Sequence, residues 1–106
     1  MVQSIGDPLA AEHLVITLQQ IVDGRAPVRL VIHWPEGEWD FLSGKSYYLQ
    51  EQVRVPYADL VKLDPSLMAI ADLPEVWCAR RKEHAGEWHR KWIYEGMPYQ
   101  PLEERV

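Results

Sequence analysis

The sequence predicts an α+β fold, in which an N-terminal helix and two short helices pack on a mostly antiparallel sheet of four to five strands. Three observations lead to this prediction. Apolar residues at helical spacing come first, short segments rich in β-branched and aromatic residues follow, and a basic stretch with tryptophans lies near the end. With 106 residues, 47% of them hydrophobic, we predict a single domain over residues 1–106.

The N-terminal helix is predicted over residues 8–23. Asp7 can cap free backbone amides, and Pro8 suits the first helical position because no amide donor is needed there. Gly24 provides a C-terminal stop. The apolar residues at helical spacing are Ala11, Leu14, Val15, Leu18, Ile21 and Val22.

Three strands are predicted after this helix. Val28–Trp34 is rich in β-branched residues, and Trp39–Leu42 follows a turn, so these two strands can form a hairpin. Ser46–Val55 is the predicted third strand, in which alternation places Val53 and Val55 on one face.

Two short helices are predicted next. Pro56–Leu63 carries an apolar side that includes Tyr57 and Leu60. Asp64 and the proline after it repeat the capping pattern and start a second short helix that runs to about Ala71.

A C-terminal hairpin is predicted over Val76–Tyr94, with its turn at Ala85–Gly86. Residues 78–92 carry five basic and two acidic side chains, a local charge of +3 in a chain whose net charge is −5. Trp88 and Trp92 fall on one strand face, which we expect to be part of the core. Residues 97–106 contain two prolines and are predicted to be irregular.

Composition indicates a cytoplasmic protein without a membrane segment. No apolar run approaches the roughly 20 residues that span a bilayer. The first residues lack the basic region and the apolar stretch of a signal peptide. The single cysteine, Cys78, suits a reducing compartment.

The sequence does not indicate a group of residues that could form a catalytic or metal site. Metal binding by Cys78, His84 and His89 lacks the tight ligand spacing of zinc sites. Cys78 as a nucleophile would need a nearby base, whereas alternation places it beside Val76 on a face that we expect to pack inward. No glycine-rich phosphate loop occurs. We therefore predict no enzyme, no catalytic residue, no metal and no cofactor.

Two surfaces are the candidate binding sites. The first is an acidic loop with a tryptophan, and the second is the basic hairpin. Paired acids can catalyse only within a pocket that separates their pKa values, so the acidic loop suits interaction better than catalysis. The candidate binding residues are Glu36, Glu38, Trp39 and Asp40 in the loop and Arg80, Arg81, Trp88, Arg90 and Lys91 in the hairpin.

The basic hairpin leaves three possibilities open. With a short loop, Arg80 lies near Arg90 and Arg81 near His89, and like charges opposed across a sheet are destabilising. An anionic partner would compensate this cost. Acidic residues of the same fold would neutralise the patch equally well, and the long side chains could also extend separately into water.

Two segments resemble a family of uncharacterised bacterial domains grouped with immunity proteins. GEWDFLSG (Gly37–Gly44) is similar to a glycine-tryptophan-x-phenylalanine-x-serine-glycine segment, although Glu38 interrupts it. LVKLDPSLMAIADLP (Leu60–Pro74), followed by Trp77, Ala79, Arg80 and Trp88, is similar to an aspartate-proline-serine segment and the closing strands. The resemblance covers about residues 36–92. It implies a compact α+β fold without known catalytic residues and a role in binding a toxin.

The leading hypothesis is therefore a non-enzymatic bacterial protein-binding domain, immunity-like in that its partner would be a toxin. The alternative is binding of nucleic acid or another anionic ligand through the basic hairpin. The overall acidity argues against a general nucleic-acid binder.

Overall fold

The structure, a computed structural model, describes residues 9–44, 51–82 and 86–94. One sheet and a few short helices make up this part of the chain, so the α+β class is confirmed. The helices are α1 (Gln19–Val22) and α2 (Tyr57–Leu63), with 3-10 helices at Pro35–Gly37 and Pro65–Ile70. The strands are β1 (Leu14–Leu18), β2 (Leu30–His33), β3 (Trp39–Leu42), β4 (Gln52–Pro56), β5 (Trp77–Arg80) and β6 (His89–Trp92).

The six strands form one mixed sheet in the order β4-β1-β3-β2-β5-β6. β1 and β3 are parallel, and the other four pairings are antiparallel. The sheet is thus larger than the four to five strands predicted, because the N-terminal segment contributes a strand of its own.

The predicted helix over residues 8–23 is wrong. Leu14–Leu18 forms β1 between β3 and β4, and the helix that follows has only four residues. The run Val15-Ile16-Thr17 is β-branched, which favours a strand, and pairing on both sides buries it. Leu14 was assigned to the apolar face of the helix, yet its side chain is 54% exposed.

The central hairpin and the short helices agree with the prediction. β3 spans the predicted residues and pairs with β2. α2 occupies the predicted segment, and Asp64 caps the Pro65–Ile70 helix by accepting the Ser66 backbone N–H at 3.1 Å. β4 falls at the end of the predicted third strand. Residues 46–50 of that strand, the predicted turn residue Ala85, His84 and the predicted irregular tail lie outside the described residues.

The inner face of the sheet packs against α2 and the Pro65–Ile70 helix. Val31 lies in register with Phe41 and Ala79, and all three are fully buried. The Tyr57 ring lies 5.9 Å from the Phe41 ring, and the Tyr57 hydroxyl donates a 2.8 Å hydrogen bond to the Leu67 carbonyl. This face holds most of the core.

The opposite, outer face carries one continuous row of side chains across all six strands. Cross-strand register places the members of this row side by side, with a cation at each end and half-buried residues between them. The row is Arg54, Ile16, Asp40, Ile32, Cys78 and Lys91. Among the described residues, no helix is long and apolar enough to span a membrane.

Candidate functional site

The basic hairpin of β5 and β6 forms one edge of the sheet. β5 also pairs with β2, whereas among the described residues β6 pairs with β5 alone, and all four residues of β6 are exposed. Arg80 lies opposite His89, and Arg90 lies opposite Ala79. The predicted register, which pairs Arg80 with Arg90 and Arg81 with His89, is therefore off by one residue. The shift places Arg80 and Arg90 on opposite faces of the sheet.

Arg81 lies in the interior, where the fold neutralises its charge. The residue is only 2% exposed. The guanidinium donates from Nε to the Val28 carbonyl at 3.0 Å, from Nη1 to Ser66 Oγ at 2.8 Å and from Nη2 to Asp64 Oδ2 at 2.7 Å. The Trp88 ring lies over it, with the centroid 4.2 Å from Cζ. Arg81 and Trp88 therefore tie the hairpin to the helices, and burial removes Arg81 from the accessible surface.

Asp64 is held as a carboxylate by these contacts. Burial raises the pKa of Asp64, but hydrogen bonds from Ser66 and Arg81 and the Arg81 charge outweigh burial, so the pKa is lowered from 3.8. The same carboxylate caps the Pro65–Ile70 helix. One acid thus joins a helix start to an arginine of the hairpin.

Arg90 is also neutralised within the fold, but at the surface. Its Nη2 donates to Asp72 Oδ1 at 2.6 Å and to the Ala69 carbonyl at 2.8 Å. Both contacts lie on the helix side of the sheet. Acidic residues of the same chain therefore compensate two of the hairpin's arginines, Arg81 and Arg90.

Three further basic side chains of the two strands project from the outer face. Arg80, His89 and Lys91 are exposed, and within the described part of the chain none of them forms an ion pair. Arg80 is directly opposite His89, and Lys91 is opposite Cys78. Two cations and an imidazole thus lie together without a carboxylate from the described residues.

Cys78 lies on the outer face, half-buried among these cations, and not on the inner face as predicted. Ala79 takes the inward position, because the strand alternation runs opposite to the expected one. Burial raises the pKa of the Cys78 thiol, and the charges of Arg80 and Lys91 offset this only in part. In the described ranges, no three histidine, cysteine or acidic side chains gather as a metal site.

An exposed aromatic pair marks the C-terminal end of β6. Trp92 and Tyr94 are 40% and 41% exposed, and their rings meet edge to face at 5.0 Å. Trp92 lies opposite Trp77, which is half-buried. We expected Trp92 in the core, but its place on an edge strand beyond the helices leaves it accessible. Sequence reasoning missed Tyr94, for which the only signal was its period-two spacing from Trp92.

The acidic loop contributes less surface than predicted. Trp39 is 3% exposed and stacks on the His33 ring at 4.0 Å, so it belongs to the core. Asp40 is half-buried and accepts a 3.0 Å hydrogen bond from Trp34 Nε1, and burial raises its pKa. Glu38 is exposed and lies 3.6 Å from Arg54.

Glu36, in the Pro35–Gly37 turn, is exposed and has a φ of 68°. Residues other than glycine rarely adopt this left-handed backbone conformation. The accessible part of the acidic loop is therefore Glu36 and Glu38.

A cleft on the helix side was not predicted from sequence. It has a volume of about 350 Å³ and lies between the loop after α1 and the segment formed by α2 and the Pro65–Ile70 helix. Its lining is mostly apolar and includes Ile21, Val28, Leu60, Leu63 and Leu67. Asp64 also lines it, but that carboxylate is occupied by Arg81 and Ser66.

No family model, curated protein or solved structure matches this chain. The resemblance of residues 36–92 to immunity-protein domains therefore stays a prediction.

Proposed function

We propose that this chain is a non-enzymatic bacterial protein-binding domain that recognises its partner through the hairpin surface, defined as Arg80, His89, Lys91, Trp92 and Tyr94. One observation carries the proposal. An exposed aromatic pair continues an edge strand whose outer-face cations have no carboxylate among the described residues. Trp, Tyr and Arg are the residues that most often dominate binding energy at protein interfaces.

The chemistry of Cys78 supports a role without catalysis. A nucleophilic cysteine needs a lowered pKa and a base within hydrogen-bond reach. The pKa of Cys78 is raised, and among the described residues no histidine is hydrogen-bonded to its sulfur. Binding is therefore favoured over thiol chemistry at the hairpin surface.

The resemblance to immunity-protein domains adds a partner class to the proposal. It extends over about residues 36–92 and so includes β5 and β6. In an immunity-like role, the domain would bind a toxin in the cytoplasm and thereby neutralise it. A locally basic hairpin surface on an acidic chain would orient the partner, because complementary charge steers association.

The test is capture of a partner with matched baits. We expect the wild-type protein to retain one specific protein from lysate of the source organism, and a Trp92→Ala/Tyr94→Ala bait to lose it. A Leu63→Ala/Met68→Ala bait removes two exposed apolar side chains on the helix side and is expected to retain it. Equal capture by all three baits would contradict recognition through the hairpin surface, as would loss only with the helix-side bait.

Nucleic-acid binding is the second candidate, since Arg80, Lys82 and Lys91 are exposed. Arg81 and Arg90 are already paired with acids of the fold, so fewer cations are available than the sequence suggested. With about three phosphate contacts, the logarithm of the affinity for single-stranded DNA should fall with that of salt at a slope of about −2. Absence of binding at low salt would exclude this candidate.

A further inference from the structure

The outer edge of β6 has backbone groups that point away from the sheet. The Ile93 N–H donates to the Val76 carbonyl at 2.8 Å, so Ile93 faces β5. Antiparallel pairing alternates these directions along the strand, which turns Lys91 and His89 toward β5 and Arg90 and Trp92 outward. The N–H and C=O groups of Arg90 and Trp92 are therefore placed to pair with another strand.

The two sides of β6 differ in chemistry. His89 and Lys91 project from the outer face, where Arg80 of the adjacent strand joins them. Trp92 projects from the inner side, where it meets Tyr94. Arg90 shares that side, but Asp72 already neutralises it. A strand added beside β6 would thus meet cations along one face and an aromatic surface along the other.

These charges select between possible added strands. Lysine on an edge strand is a recognised defence against pairing with further copies of the same chain. A second β6 would place cations against cations, which is destabilising across a sheet. A strand with carboxylates at the matching positions would instead form favourable cross-strand pairs. The charge pattern therefore disfavours a second copy and favours an acidic segment.

We propose that the partner supplies an extended segment of alternating acidic and apolar residues, which adds to the sheet as a strand beside β6. Alternation places all the acids on the face of His89 and Lys91 and all the apolar residues on the face of Trp92. The inference rests on the proposed function, because it specifies how the hairpin surface binds a protein.

The direct test uses a capped peptide of alternating glutamate and valine with the full chain at low ionic strength. Binding should slow hydrogen exchange at the N–H groups of Arg90 and Trp92. Those of His89 and Lys91 already face β5 and should change little. A peptide with lysine in place of glutamate should not bind. A glutamate–valine peptide methylated on every backbone nitrogen should also fail, because it lacks the N–H donors of both strand edges.

Matched charge reversals locate the binding site. Lys91→Glu should weaken binding of the glutamate–valine peptide about tenfold, which corresponds to about 1.4 kcal/mol. Arg54→Glu changes the cation at the opposite end of the same outer row and should leave the affinity unchanged. Far-ultraviolet circular dichroism of both variants verifies that the fold is retained.

The outcomes separate the inference from the function on which it rests. No binding of the glutamate–valine peptide, or equal binding of its methylated form, overturns strand addition. A partner captured through Trp92 and Tyr94 that leaves the amides of Arg90 and Trp92 unprotected also overturns it, while the proposed function stands. Capture of the partner that does not depend on Trp92 and Tyr94 contradicts the proposed function whatever the peptide does.

Discussion

Replacement of Arg81 by methionine should destabilise the domain by about 3–5 kcal/mol. The substitution keeps much of the apolar volume but removes the hydrogen bonds to Val28, Ser66 and Asp64, and with them the Arg81 charge that compensates the buried Asp64 carboxylate. Breaking a buried pair in this way costs far more than the pair itself contributes. Since a small domain has a total stability of about 5–15 kcal/mol, the loss is a large fraction of it.

Urea unfolding followed by tryptophan fluorescence measures this loss. With a slope of about 1–2 kcal/mol per molar urea, the midpoint should fall by about 1.5–5 M. Arg90→Met is the matched control, because it breaks an exposed pair on the same hairpin and should cost about 1 kcal/mol or less. The double variant Arg81→Met/Asp64→Asn should lose less unfolding free energy than the sum of the losses of the two single variants, since it no longer carries the buried carboxylate. A cost for Arg81→Met no larger than for Arg90→Met would refute the assignment of Arg81 to the interior.

Three further predictions concern acid stability, the N-terminal strand and the thiol. Because the pKa of Asp64 is below its usual 3.8 in the folded protein, the unfolded chain binds more protons near that pH. Its contribution to stability should therefore be complete above about pH 4 and be lost as pH falls through the folded pKa, and Asp64→Asn should lack this loss in urea titrations from pH 2 to 6. Leu14→Ala should lower the free energy of unfolding by about 0.5 kcal/mol or less, and Val15→Ala should lower it by about 2 kcal/mol. Losses of similar size at the two positions would instead favour the predicted N-terminal helix. Iodoacetamide should alkylate Cys78 more slowly than a free cysteine peptide at pH 8, and Lys91→Glu should slow it further by removing a charge that lowers the pKa. Alkylation at the peptide's rate would contradict the burial of the thiol.

Local signals in the sequence were sufficient for the central part of the fold. The β-branched run that contains β2, the turn before Trp39 and the capping residue Asp64 each act on their near neighbours, so their elements could be placed correctly. Leu14–Leu18 could not be placed, because its apolar residues satisfy helical spacing and also form a β-branched run. Pairing with both β3 and β4 decides the outcome, and neither strand is local to β1.

The candidate site was predictable only in outline. That residues 76–94 form a basic hairpin followed from composition and alternation. Which of its arginines are paired with acids of the fold could not be predicted, because Asp64 and Asp72 lie 17 and 18 residues before Arg81 and Arg90 in the chain. Trp92 lies on the inner side of the sheet, the side on which the core is built, but the sequence could not show that β6 is an edge strand beyond the helices, where this side chain stays exposed.

The most direct test of recognition through the hairpin surface is a hydrogen-exchange footprint of the domain bound to the partner that it captures. We predict slowed exchange at backbone amides within residues 89–94, those of Arg90 and Trp92 among them, and no change across residues 60–67 beside the helix-side cleft. Protection confined to residues 60–67, with unchanged exchange across 89–94, would contradict it.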